Sequence, residues 1–494
     1  MAEGGKLERK VVSGVAWSFS EKFLTMVVQM VVSIIVARRL MPEDFGVMAI
    51  LTFFTSVALT IVDSGFSQTL IRRKEPTDEE YRSVLTFNIL TSVILYVILV
   101  LSARWLADFY NHAIIAEVAP VLFLLLPINA MCVVQTVMFT REFRFALLSK
   151  IVFSASIVSG VVAVVMAVCG CGIWSLVAQR LLAMGIKAIA FWWIRRWRSE
   201  ARGSIKALRT LAPFSLRLLA TDLIASIYNN IAQLFIGKMH STGILGYYSQ
   251  AQKLKDLPVI STVQAVQGVT YPALSTLTDD NAKFAEAYRR IIMLCSFAVM
   301  PVMLGLVAVA PELFALLLGD KWMPTVPYFE ILALSGVVYP LSMVAYNVLK
   351  VRSDGRVILH LEVAKRAIMT LILIYTIPQS VEAIAWGMSL MALLDYLINT
   401  VAATRFTSLS LWRTVGAMLP SLLLAGVMFG ALYLLDEHFA TLTLGWRLLA
   451  KVATGAAIYL LLAALLRLKA LSEAVTLLRG YGRSTQSDIS VKNG

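Results

Sequence analysis

Apolar stretches long enough to cross a bilayer, each about 20 residues, recur along the whole chain between short polar or basic connectors. Reading for such stretches predicts about fourteen helices. In the first half they fall at 12–37, 45–70, 83–107, 113–140, 146–170 and 172–194. The second half gives 208–237, 244–274, 288–317, 325–349, 357–377 and 380–404, and two more follow at 413–435 and 443–466. The fold class is therefore all-α, as a polytopic membrane protein.

The connectors carry the next signal. Alternate connectors hold 29 Lys and Arg residues on one side, whereas the other side holds only Arg38, Arg39, Arg104, Lys238, Lys321 and Arg447. Basic connectors stay in the cytoplasm, so both termini are expected there and the number of spans is even. The longest connector, roughly 195–207, is basic. No extracytoplasmic loop is long enough for a folded domain, which disfavours an enzyme with an acidic extramembrane site. Asp436-Glu437-His438 is the nearest approach to one and reads as a solvated turn.

Two stretches of the chain match at an offset of 200 residues that grows to 207 farther on. Val36-Ala37-Arg38 followed by Gly46 matches Ile236-Gly237-Lys238 followed by Gly246. Farther on, Tyr81-Arg82 matches Tyr288-Arg289, and Ala103-Arg104-Trp105-Leu106 matches Ala310-Pro311-Glu312-Leu313. A repeat of six spans preserves orientation, so it predicts two parallel six-helix lobes related by a pseudo-twofold along the membrane normal. The expected division is 1–205, 206–410, and a remainder at 411–494 holding two helices and a basic tail.

Polar residues inside the spans fall on single helical faces. The first span carries Ser18, Lys22, Thr25, Gln29 and Ser33, and the second carries Thr52, Ser56, Thr60, Asp63 and Ser67. The seventh carries Asp222, Ser226, Asn229 and Gln233, and the eighth Ser249, Lys253, Asp256, Gln264 and Gln267. Ser and Thr in such positions usually bond neighbouring helices. The charged members cost about 2.5–3.5 kcal/mol each at mid-bilayer and point to a hydrophilic cavity. Arg180, Lys187, Arg217, Glu362, Lys365, Arg366 and Asp395 also fall within spans. Arg217 can snorkel to the interface. Lys365, Arg366 and Asp395 fit an intramembrane salt bridge as well as they fit a functional site.

Composition agrees with this picture. Residues are 59% hydrophobic and 15% charged, too few charges to cover a water-facing surface. The net charge of +14 belongs to membrane-flanking connectors and gives no reason to expect nucleic acid. Lys6-Leu7-Glu8-Arg9-Lys10 leads into a first span expected to be retained. Cys132, Cys169, Cys171 and Cys295 read as packing residues, and no metal site is expected. Thr77-Asp78-Glu79-Glu80 has the pattern of a capping box. Asn281 to Arg290 reads as an amphipathic lead-in with Phe284 and Tyr288 on one face. The basic connectors suit lipid head groups, or a docking surface for a phospholipid-linked substrate.

Ordered motifs add a resemblance. Ser13-Gly14-Val15-Ala16-Trp17-Ser18 precedes the first span, and Ala37-Arg38 with Asp44-Phe45-Gly46 opens the second. Asp63-Ser64-Gly65-Phe66-Ser67-Gln68 closes it, with Ile71-Arg72-Arg73-Lys74-Glu75 beyond. Tyr228-Asn229-Asn230, Leu245-Gly246-Tyr247, Tyr271-Pro272-Ala273-Leu274 and Gly319-Asp320-Lys321-Trp322 follow in order. The set resembles Wzx-type flippases of the multidrug/oligosaccharidyl-lipid/polysaccharide exporter superfamily, closest to its colanic-acid exporter branch. It covers roughly residues 10–410.

The resemblance implies alternating access in the bacterial inner membrane, without catalytic residues or a cofactor. Its substrate would be an oligosaccharide repeat unit on undecaprenyl pyrophosphate, its other partners membrane lipids and polysaccharide polymerase machinery. A pyrophosphate attracts cations strongly where water is scarce, so Lys22 and Lys253 are candidates for phosphate contact. Gln29, Asn229, Asn230, Gln233 and Arg217 complete the expected substrate set. Asp63, Asp222 and Asp256 are candidates for coupling to Na⁺ or H⁺. A drug or metabolite exporter of the same superfamily would need an acidic, aromatic pocket, which two lysines disfavour. A membrane enzyme of polysaccharide assembly is the rival from another class.

Overall fold

The computed structural model describes residues 24–197, 200–201 and 203–476. All regular structure among them is helical. The helices are α1 (24–39), α2 (Pro42–Asp63), α3 (Phe66–Arg72), α4 (Asp78–Tyr110), α5 (Ile114–Leu122) and α6 (Leu125–Arg141). Then come α7 (Phe145–Val168), α8 (Trp174–Ile194), α9 (Ile205–Met239) and α10 (Thr242–Ser275). The chain continues as α11 (Asn281–Ala308), α12 (Ala310–Leu317), α13 (Val326–Arg352), α14 (Gly355–Thr376) and α15 (Val381–Thr404). It ends with α16 (Leu411–Leu434), α17 (Asp436–Phe439), α18 (Leu444–Leu465) and α19 (469–476).

Eleven described segments are helices long and apolar enough to cross a membrane. The other three predicted spans are helical where they are described, but differ in composition. The first is described only from residue 24. The α10 helix carries Lys253, Lys255, Asp256 and two prolines, and α14 carries Arg356, Glu362, Lys365 and Arg366. Large apolar side chains stand outward on many helices, among them Leu101, Trp193 and Leu434. That is the surface expected where lipid is the solvent.

Local signals set several helix ends. Pro42 occupies the first turn of α2, and the Met41 N–H donates to the Asp44 carboxylate at 3.0 Å. The capping box of α4 forms as read from the sequence: the Glu80 N–H donates to Thr77 Oγ1 at 3.2 Å and the Thr77 N–H to Glu80 Oε2 at 3.0 Å. Between α2 and α3 the backbone turns left-handed at Ser64 (φ 50°) and Gly65 (φ 69°). In the amphipathic lead-in, Phe284 and Tyr288 are both fully buried, and the Arg352 guanidinium lies 3.8 Å from the Phe284 ring centroid.

Contacts group the chain into two compact units, Met1–Ser249 and Gln250–Gly494, with the division inside α10. The α9 helix, which the repeat assigns to the second half, thus belongs with the elements of the first unit. Its attachments there are specific. Thr69 and Ser215 share a buried hydrogen bond of 2.7 Å, and a Cβ on Gly65 would lie 2.6 Å from the Ser215 carbonyl oxygen. Only glycine allows α9 to approach so closely in that left-handed turn. Leu211 of α9 joins Phe66, Leu70, Val84, Leu85, Val134, Val137 and Met138 in one core.

In the second unit, α13 packs between α11 and α15. Met303 of α11 and Val259 of α10 both meet Gly336 on α13, and Ser389 of α15 donates to the Ile331 carbonyl at 2.7 Å. The terminal helices are tied in by Tyr459 of α18, whose hydroxyl donates to the Phe297 carbonyl at 3.0 Å. Small residues and single polar bonds at crossings are the usual cement between helices in lipid, where burial of apolar surface supplies no net attraction.

Candidate functional site

Within the first unit, the polar faces of α2 and α9 lie against each other. Ser226 meets Ser56 at 3.4 Å, and Asp222 lies within electrostatic reach of Asp63. Asp63 is half-buried and accepts hydrogen bonds from Ser67 Oγ at 2.5 Å and the Ser67 N–H at 3.3 Å. Asp222 is exposed.

The hydroxyls of α2 mostly bond their own helix instead of bridging to others. Thr52 Oγ1 donates to the Met48 carbonyl at 2.5 Å, Ser56 to Phe53 at 2.9 Å and Thr60 to Ser56 at 2.9 Å. Such back-bonding satisfies a hydroxyl wherever the helix is the nearest acceptor. Thr52 has a second role: it accepts from the Arg180 guanidinium of α8 at 2.7 Å.

The remaining candidates are placed as follows. Lys22 lies outside the described residues. Gln29 on α1 is exposed, as are Asn229 and Arg217 on α9. Asn230 and Gln233 are half-buried, and the Asn230 amide donates to the Ser226 carbonyl at 2.9 Å. In the second unit Lys253 is exposed, and Asp256 forms an ion pair with Lys255 at 2.7 Å. Cys132 and Cys295 are buried in helices, and Cys169 and Cys171 are exposed in the turn between α7 and α8.

Two buried charge networks occupy the second unit. Lys365 of α14 is 4% exposed, and its ammonium meets Glu362 Oε1 at 2.5 Å and Asp395 Oδ1 of α15 at 2.8 Å. Asp395 Oδ2 accepts from Ser342 Oγ of α13 at 2.5 Å, and the Asn399 amide donates to Ser342 Oγ at 2.9 Å. Of the two readings open for Lys365 and Asp395, the geometry is that of a salt bridge joining three helices.

The second network escaped the sequence reading. Glu312 of α12 is 3% exposed and binds Lys451 Nζ at 2.6 Å and Arg447 Nε at 2.7 Å, both on α18. Arg447 Nη2 also pairs with Asp436 at 2.9 Å, and Lys451 reaches the same carboxylate. The Asp436 turn is therefore an ion-paired corner and not merely solvated. Its carboxyl is held below the ordinary aspartate range, chiefly by the hydrogen bond from Lys451 and then by that from Arg447. The available signal was Glu312 and Lys451 standing in otherwise apolar segments.

Residues 35–327 match a family model described as "Polysaccharide biosynthesis protein". Among curated relatives, the chain is 23% identical to the teichuronic acid biosynthesis protein TuaB of Bacillus subtilis (strain 168), over 92% of this chain and 95% of that one. It is 25% identical to the succinoglycan biosynthesis transport protein ExoT of Rhizobium meliloti (strain 1021), over 68% of each. It is 22% identical to the lipopolysaccharide biosynthesis protein WzxC of Escherichia coli (strain K12), over 67% of this chain and 68% of that one. Among solved structures, the lipid II flippase MurJ in an inward closed conformation superposes with a TM-score of 0.71 at 14% identity, covering 91% of this chain and 98% of that one. An inward-facing multidrug resistance transporter of the MATE family superposes at 0.58 with 16% identity, over 78% and 96%.

Proposed function

The chain belongs to the polysaccharide biosynthesis protein family, and from that premise we propose that it is a flippase. It carries lipid-linked oligosaccharide repeat units from the cytoplasmic to the periplasmic leaflet of a bacterial inner membrane. The observation that carries the reading is the near full-length match to a teichuronic acid biosynthesis protein, on a fold shared with a lipid II flippase. The polar faces of α2 and α9 support it, since a chain that only scaffolds others has no need of charged residues along its spans.

On this reading both termini are cytoplasmic, as the distribution of Lys and Arg argues, and two six-helix repeats alternate access. The chain is a transporter and not an enzyme. Its substrate is a saccharide on a polyprenyl diphosphate, handed on to polymerase machinery. Asn229, Asn230, Gln29 and Gln233 supply groups suited to sugar hydroxyls. Lys22 and Lys253 are each assigned to diphosphate contact, and the Asp63–Asp222 pair to a coupling proton or Na⁺.

Deleting the gene tests the reading. Loss of one surface polysaccharide with lipid-linked repeat units accumulating in the inner leaflet is the expected outcome. Unchanged polysaccharide and no accumulated intermediate would refute it.

A further inference from the structure

The basic end of the first unit distributes its acids unevenly. Arg73 pairs with the buried Glu80 at 3.0 Å, and Arg195 pairs with Glu142. Arg141 donates to the backbone carbonyls of Leu70, Ile71, Arg73 and Lys74 at 2.5–3.1 Å, and so pins the segment after α3. These cations already have structural partners.

Arg72 and Arg217 have no acidic partner among the described residues, and both are exposed. The Arg72 guanidinium lies over the ring of Phe214, 4.6 Å from its centroid. Arg217 stands three residues after Phe214 on α9, one turn along the same helical face. Arg209 lies eight residues before Arg217, about 12 Å along the axis, and Lys206 precedes it; both are exposed. This cationic face runs inward from the start of α9 and stops at Arg217. Five residues later stands Asp222, beside Asp63.

We propose that Arg72 and Arg217, on either side of Phe214, form a capture site for the diphosphate head group of a polyprenyl-linked saccharide in the cytoplasmic leaflet. The inference rests on the flippase reading and deepens it. Lys206 and Arg209 draw the head group in from the membrane surface. The two guanidiniums hold it, since planar forks match phosphate oxygens. The Phe214 ring orients Arg72 without neutralising it.

The full-length protein in phosphatidylcholine nanodiscs provides the test, titrated with undecaprenyl diphosphate and, separately, with phosphatidylglycerol. Arg72→Gln combined with Arg217→Gln should weaken diphosphate binding about tenfold or more, as expected for loss of charge-assisted contacts. The corresponding Lys variants should recover part of it. Arg82→Gln, which removes an exposed cation of α4, should leave it unchanged. Undiminished diphosphate binding in the double Gln variant overturns the site alone. An equal loss of phosphatidylglycerol binding also overturns it, by making the patch a general anionic-lipid contact. If the unsubstituted protein binds no undecaprenyl diphosphate, the flippase reading fails and the site with it.

Discussion

Gly46 and Gly246, the matched glycines of the repeat, are each laid against the backbone of the other's helix. A Cβ on Gly46 would lie 1.8 Å from the Thr242 carbonyl oxygen, and one on Gly246 would lie 1.8 Å from the Pro42 carbonyl oxygen. Pro42 and Thr242 are themselves separated by the repeat offset, so the contact is reciprocal. The first turns of α2 and α10 cross around a local twofold with no side chain between them.

Such an approach admits only glycine, because nothing flexible can give way. Gly46→Ala or Gly246→Ala must push the two backbones apart. In a transporter that alternates access, the substitution should shift the population away from the crossed arrangement, while the protein still folds. Glu43→Cys with Gly243→Cys reports on this directly, since a Cβ on Gly243 would lie 3.5 Å from Glu43 Cγ. The pair should oxidise readily, and the closed disulfide should stop transport until reduced. Adding Gly46→Ala should slow the crosslink at least several-fold. Full transport with the disulfide closed would show that these turns do not separate.

The Asp63–Asp222 pair gives a second prediction. The two carboxylates lie within electrostatic reach of each other on facing helices, the arrangement a shared coupling ion would use. Asp222→Asn should therefore reduce any dependence of transport in proteoliposomes on an imposed Na⁺ or H⁺ gradient, with less effect on substrate binding. Unmutated protein that ignores both gradients would remove the coupling role.

The Lys365 network leads to a third. Removing one partner of a buried ion pair leaves an uncompensated charge, a loss of about 3–5 kcal/mol. Lys365→Met should therefore lower the unfolding midpoint markedly. Lys365→Met with Asp395→Asn should recover much of the loss, because the surviving Ser342 and Asn399 contacts are neutral. Thermal unfolding of detergent-solubilised variants measures both. If the double variant is worse than the single, the network has a role other than charge balance.

How much was legible follows from the kind of signal each residue left. Apolar runs and connector charges located the helices because span length and basic loops are imposed by the bilayer itself. The capping box at Thr77 and Glu80 was readable because its partners are three residues apart. Gly46 and Gly246 were visible as a repeat match, but not as a contact, since a glycine shows no partner in sequence. Arg72 over Phe214 and Glu312 against Lys451 join residues 142 and 139 positions apart, and no periodicity connects them. The break at Ser64-Gly65 was hidden because Asp63, Ser67 and the earlier polar residues keep helical spacing on both sides of it.

The Glu312 corner supplies the last prediction, and it carries a pH dependence. Glu312 holds Lys451 and Arg447, and Asp436 holds the same two cations from the loop. The network joins α12 to α18, so it fixes the terminal helices to the rest of the second unit. Asp436 has its carboxyl depressed in the folded protein. Its stabilisation is thus fully present above the ordinary aspartate range, near pH 4, and is lost as pH falls through the lower folded value. Asp436→Asn should unfold earlier than the unsubstituted protein at pH 7, by a modest amount because the carboxylate is partly solvated. The difference should persist to about pH 5 and close only under stronger acid. Glu312→Gln removes a buried partner of a buried lysine and should cost more, about 3 kcal/mol. Adding Lys451→Met should return part of that loss. Unfolding midpoints measured from pH 7 to pH 3 separate the two acids. A Glu312→Gln variant as stable as the unsubstituted protein would mean that Asp436 alone balances Lys451, and that α12 does not anchor the terminal helices.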